Sequence, residues 1–137
     1  MRYLVLLKAL STPTTPPSPD LMAAIMALGE EAKAAGVRLD TQGLQPSAAG
    51  SRVSLTSGQL TAADGPFTES KELIAGYWIW QCASRDEAIE WIKRAPFDDG
   101  VEIELRQIFE SDDFGEELTP ELRAAEDRMR QQIGGQD

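Results

Sequence analysis

Asp64, Lys71 and Glu72 bracket the stretch "DGPFTESKE" (64–72), which sets a carboxylate, an ammonium and a second carboxylate on a stiff turn. A carboxylate held beside aromatic rings has its charged form disfavoured, so it can act as a general acid or base or anchor a ligand's hydrogen bond. Pro66 fixes its own φ and removes the amide that Asp64 would otherwise reach, leaving Phe67 N–H as the next donor. Phe67 is expected to plug into the core, with Asp64, Thr68, Lys71 and Glu72 at a rim beside Tyr77 and Trp78. Tyr3 either reaches the same cleft or packs in the core. The plainer readings are a turn-capping role for Asp64 and solvated loop charges for Lys71 and Glu72.

Other chemistries are excluded by residue type. The chain has no histidine and a single cysteine, Cys82, so one chain cannot assemble a zinc site of the usual nitrogen and sulfur ligands, nor a Ser-His or Cys-His nucleophile. "PFDDG" (96–100) lacks calcium-loop spacing, and Gly43, Gly50 and Gly58 lie too far apart for a phosphate-binding loop. No metal or cofactor is expected.

The elements that must position these residues follow from periodicity. "RYLVLL" (2–7) reads as a central strand, and four prolines within "STPTTPPSPD" (11–20) make a stiff loop. Leu21, Ile25, Leu28, Ala32 and Ala35 keep helical spacing, with Asp20 as the expected cap and Gly36 as the stop. "VRLDTQGLQP" is a second strand, and "RVSLT" and "GQLTAA" are the arms of a hairpin around Ser57 and Gly58. "GYWIWQC" has the composition of a buried strand. Ser84 and Glu87 form a capping box for a helix that buries Ala88, Trp91, Ile92 and Ala95. "VEIELRQIF" alternates, with Val101, Ile103 and Leu105 inward, and Thr119-Pro120 opens a polar helix to about Ile133. The order is that of an α+β, ferredoxin-like split βαβ with an inserted hairpin and an added C-terminal helix.

The 137 residues suit one core domain, expected over 1–110, with an acidic helical extension over 111–137. Residues 110–137 carry 9 acids against 3 bases, well over half of the chain's net charge of −10. Such a balance opposes phosphate binding, so nucleic acid is not an expected partner. No apolar run reaches the roughly 18 residues of a membrane span, and the opening segment lacks a cleavage-site pattern, so the expected location is the cytoplasm. On the strand 77–82, Tyr77 and Ile79 alternate with Trp78 and Trp80. Two helices cover one face of such a sheet, so the sequence predicts a homodimer packed sheet to sheet, with the tryptophans contributing to the driving force.

The segments "DGPFTESKE", "GYWI" (76–79), "DEAIEW" (86–91) and "IELR" (103–106) resemble the YCII-related proteins of the DGPF type over about residues 1–110. The resemblance implies a dimeric α+β barrel of ferredoxin-like topology. Arg52 stands where such proteins often carry Arg, facing Asp64, a ligand carboxylate or an exposed cross-strand neighbour. A His-Asp active site proposed for relatives cannot exist here. A sigma factor of the extracytoplasmic-function class is the implied partner, and the function expected is a small ligand-binding or accessory protein. The alternative is an enzyme using Asp64 as general acid or base, with Tyr3, Lys71 or Arg52, on a small polar or aromatic substrate.

Overall fold

A computed structural model describes residues 1–9, 17–65, 73–97 and 101–134. Among these residues, six strands and three α-helices follow in the order β1 (Arg2–Ala9), α1 (Pro19–Ala34), β2 (Arg38–Gly43), β3 (Ser51–Thr56), β4 (Gln59–Asp64), β5 (Leu73–Gln81), α2 (Arg85–Ile92), β6 (Glu102–Gln107) and α3 (Pro120–Gly134). Short 3-10 turns occupy Ser47–Ala49 and Ser111–Glu117. The chain divides into two compact units, Met1–Gln107 and Ile108–Asp137.

Four strands form one antiparallel sheet in the order β2-β5-β1-β6. The parallel strands β1 and β2 joined by α1 are parted by β5, and β5 and β6 joined by α2 are parted by β1. Each βαβ unit is therefore split by a strand of the other.

Register fixes which side chains share a face. Tyr3 lies opposite Trp80, and Val5 opposite Trp78 and Leu105, so these residues point to one side of the pleat. That side is the core: Tyr3, Val5, Trp78, Trp80 and Cys82 are buried with Leu28 and Ala32 of α1 and Ala88 of α2. Trp91, Phe97, Ile103 and Leu105 pack around them. Trp78 and Trp80 stack with ring centroids 5.0 Å apart, and Trp91 meets Trp80 edge-on at 6.5 Å. The alternation along β5 is as expected, but the helices of the same chain cover the tryptophan side. Trp78 and Trp80, 6% and 2% exposed, leave almost no surface for a second chain. The opposite face carries Leu4 beside Ile79 and Leu6 beside Tyr77, all half-buried.

Helix ends follow local chemistry. The cap of α1 is Ser18, not Asp20: Leu21 N–H donates to Ser18 Oγ at 3.2 Å. Pro19 has no N–H to lose at the first helical position, which sets the cap one residue before it and leaves Asp20 in the first turn, where the helix dipole favours a negative charge. Gly36 at φ +73° ends α1, with Val37 N–H donating to Ala32 carbonyl at 2.8 Å and Gly36 N–H to Lys33 carbonyl at 3.0 Å. This pair of bonds is the Schellman closure. At α2, Glu87 N–H donates to Ser84 Oγ at 3.2 Å, while the Glu87 carboxylate accepts from Ala83 N–H at 2.6 Å. The box thus reaches one residue further back than its usual form. Val101 precedes β6 and is exposed, because the strand begins only at Glu102.

Within the second unit, Leu122 N–H donates to Thr119 Oγ1 at 3.3 Å, starting α3 where Pro120 predicts. Arg130 donates to the Glu126 carboxylate at 2.6 Å and to Phe109 carbonyl at 3.3 Å, and Arg123 to Asp112 at 2.7 Å. Phe109 and Phe114 lie 5.2 Å apart. The 3-10 turn is thereby tied back onto the helix. Among the described residues no helix is long and apolar enough to cross a membrane.

Candidate functional site

The hairpin β3–β4 turns at Ser57 and Gly58, with φ of +51° and +78°. Positive φ at both central residues is the type I′ pattern whose twist matches a right-handed hairpin. Thr56 pairs with Gln59, and counting outward places Ser51 opposite Asp64 at the root. Ser51 Oγ–H donates to Asp64 Oδ1 at 2.8 Å. Gly65 N–H donates to Gly50 carbonyl at 2.9 Å, closing the ladder one step beyond the strands. An added Cβ on Gly65 would stand 1.8 Å from Ser47 carbonyl oxygen, so the glycine at this point exists for close backbone approach. Asp64 is therefore held in place, exposed, at the shoulder where the hairpin leaves the body.

Gly76, the first residue of "GYWI", is a second close approach: a Cβ there would lie 2.7 Å from Gln42 carbonyl oxygen across the β2–β5 pairing. It allows β2 to seat against β5.

The expected site residues fall in different places. Asp64 sits at the hairpin root. Arg52 is the next residue after Ser51 and pairs with Ala63, so it projects from the opposite hairpin face to Asp64. Tyr3 and Trp78 are in the core, where Tyr3 Oη–H donates to Met1 Sδ at 3.8 Å. Tyr77 points to the other side of the sheet from Trp78 and therefore shares no rim with it. Pro66, Phe67, Thr68, Lys71 and Glu72 lie outside the described residues, as do Asp98 and Asp99. Trp78 also lines a small cavity beneath α1, with Leu28, Gly29, Arg38 and Thr41, of about 20 Å³. That volume is of the order needed for one water. Ser51 and Ser47 were missed by reasoning from residue types. The two-residue turn at Ser57-Gly58 was the available signal for Ser51, because it alone sets the register.

Among the described residues no group of three or more acidic or cysteine side chains converges as a metal site would require. Cys82, buried just past the end of β5, has its thiol pKa raised above the ordinary value of 9.0, first by desolvation and then by Glu87. The sign follows: an unfolded chain loses this proton at lower pH than the folded one, so the contribution to stability is complete below about pH 9 and declines as pH rises further. Titration of the native protein with a thiol reagent is expected to show slow modification at pH 8, accelerating above pH 9 and on adding denaturant. Rapid stoichiometric modification of the folded chain at pH 8 would contradict the burial.

The split βαβ sheet with helices on one face and an exposed hairpin carrying Asp64 defines the class. The chain belongs to the YCII-related domain family, whose family model matches residues 1–112. It is also similar to an uncharacterized protein of Rhizobium meliloti (strain 1021), with 36% identity over 50 residues. That stretch covers 36% of this chain and 40% of the relative, so the likeness spans less than half of either.

Proposed function

We propose that the chain is a homodimeric ligand-binding or accessory protein of the DGPF type, two ferredoxin-like sheets packing through their outer faces to make a dimeric α+β barrel. What supports the reading is the sheet's second face: Leu4, Leu6, Tyr77 and Ile79 form an apolar strip on the side away from the helices. Apolar surface of this kind is what sheet packing buries. The tryptophans, buried under the helices, contribute nothing to this face. A groove at the seam, with Asp64 and Ser51 at its shoulder, suits a small polar ligand held by a carboxylate and a hydroxyl. A sigma factor as partner, and a cytoplasmic setting, belong to the same proposal.

The alternative, proton transfer by Asp64, uses the same carboxylate. Its exposed position and its hydrogen bond from Ser51 favour binding over chemistry that needs a water-excluded carboxylate.

The test is a thermal-shift screen of the native protein with small polar and aromatic metabolites, alongside native purification. A ligand at about a hundredfold its Kd adds about 2.7 kcal/mol to stability, and Asp64→Asn is expected to reduce that gain. Absence of any stabilising compound together with absence of a co-purifying partner overturns the proposal, whereas turnover lost in a well-folded Asp64→Asn variant turns it into the enzymatic one.

A further inference from the structure

We propose that the β3–β4 hairpin is a clasp that closes on a second copy of this chain. The proposal rests on the homodimer reading above and adds to it the element that locks the two copies. Every residue of both strands is exposed. The alternation is sorted: Val53 opposite Ala62 and Leu55 opposite Leu60 make one face apolar, while Arg52, Ser54, Thr56, Gln59 and Thr61 make the other polar. Val53, Leu55 and Leu60 are 62%, 69% and 73% exposed. A two-stranded ribbon is marginal on its own in water and needs a third layer against its apolar face.

Two observations point to another copy as that layer. Six-residue strands reach about 20 Å, twice the roughly 10 Å between packed sheets, so the hairpin is long enough to cross a seam onto a neighbour. The sequence from Thr41 to Ala63 holds a single charged residue, Arg52, in a chain of net charge −10, so this is where two like-charged copies meet with least repulsion. A two-fold axis uses the surface twice, each hairpin lying on the other copy. Ser51 and Asp64 lie on the apolar face at its root, so the seam passes beside the carboxylate.

Sedimentation equilibrium over a concentration series, with hydrogen exchange of the full chain above and below the dimer Kd, tests this. The expected results are a dimeric wild type, a Leu55→Asp/Leu60→Asp variant whose Kd is weaker by a hundredfold or more with unchanged circular dichroism, and protection of amides 52–63 that appears only in the dimer. A dimeric wild type whose Kd is unmoved by the double substitution, with amides 52–63 exchanging equally fast at both concentrations, overturns the clasp and leaves the sheet-to-sheet dimer standing. A wild type that stays monomeric overturns both. Should the variant misfold, the concentration dependence of exchange in the wild type decides alone.

Discussion

Replacing Trp80 by Ala is expected to cost about 3–5 kcal/mol, the range for removing a large aromatic from a core. The ring is 2% exposed, lies nearly parallel to Trp78 at 5.0 Å with 10° between planes, and receives the edge of Trp91 at 6.5 Å. Phe97 extends the stack 6.0 Å beyond Trp78, so the gap would open in the middle of a four-ring array and not at its margin. The core around it is small, which limits how far neighbours can collapse into the space. Typical domains are stable by only about 5–15 kcal/mol, so the variant should be close to unfolding. Urea titration followed by far-ultraviolet circular dichroism measures the loss, and Trp80→Phe should retain a substantial part of the stability. A loss below about 1 kcal/mol in Trp80→Ala would mean that the indole does not occupy the centre of this core.

Gly65→Ala should cost about 1–3 kcal/mol and disturb the site more than the core. The added carbon would meet Ser47 carbonyl oxygen at 1.8 Å and its carbon at 2.7 Å, and both are main-chain atoms that no rotamer change can move aside. Relief requires shifting the 3-10 turn Ser47–Ala49 or giving up the bond from Gly65 N–H to Gly50 carbonyl. Amide exchange at Gly50, Ser51 and residue 65 reads that movement directly. Gly43→Ala is the matched control, since nothing lies within 4 Å of its added carbon. Equal behaviour of the two variants would show that the close approach at Gly65 carries no constraint.

Most of the architecture was legible in the sequence because it rests on local chemistry. Ser84-x-x-Glu87 and Thr119-Pro120 mark helix starts, Gly36 marks a stop, and Ser57-Gly58 marks a hairpin; each is a steric or hydrogen-bonding fact about a few adjacent residues. The direction in which β5 displays its rings was not legible. Tyr77 and Ile79 alternate with Trp78 and Trp80 whichever way the strand faces, and periodicity cannot say which set meets the helices. Long-range packing decides it, through Leu28, Ala32 and Ala88.

The candidate site was less legible for a related reason. Asp64 was singled out by the Asp-Gly-Pro stretch, which lies outside the described residues from Pro66 on; what holds it is hairpin pairing, with partners from elsewhere in the chain. Ser51 is thirteen residues earlier and becomes a neighbour only through hairpin register. Ser47 matters through its backbone, to which its side-chain type gives no clue. Trp78 looked like a rim residue because it is aromatic and near polar motifs, and Tyr3 was left between cleft and core; the inward half of each strand takes both into the core.

The position of β1 in the middle of the sheet bears on how the protein is made. Its hydrogen-bonding neighbours are β5 and β6, so β1, made before both, waits for residues 73–81 and 102–107 to follow. At about 5–20 residues per second that interval is roughly 5–20 s, during which an apolar segment has both edges open. Nascent "RYLVLL" is accordingly the stretch on which a chaperone would act, and the sheet can close only when synthesis of the first unit is nearly complete.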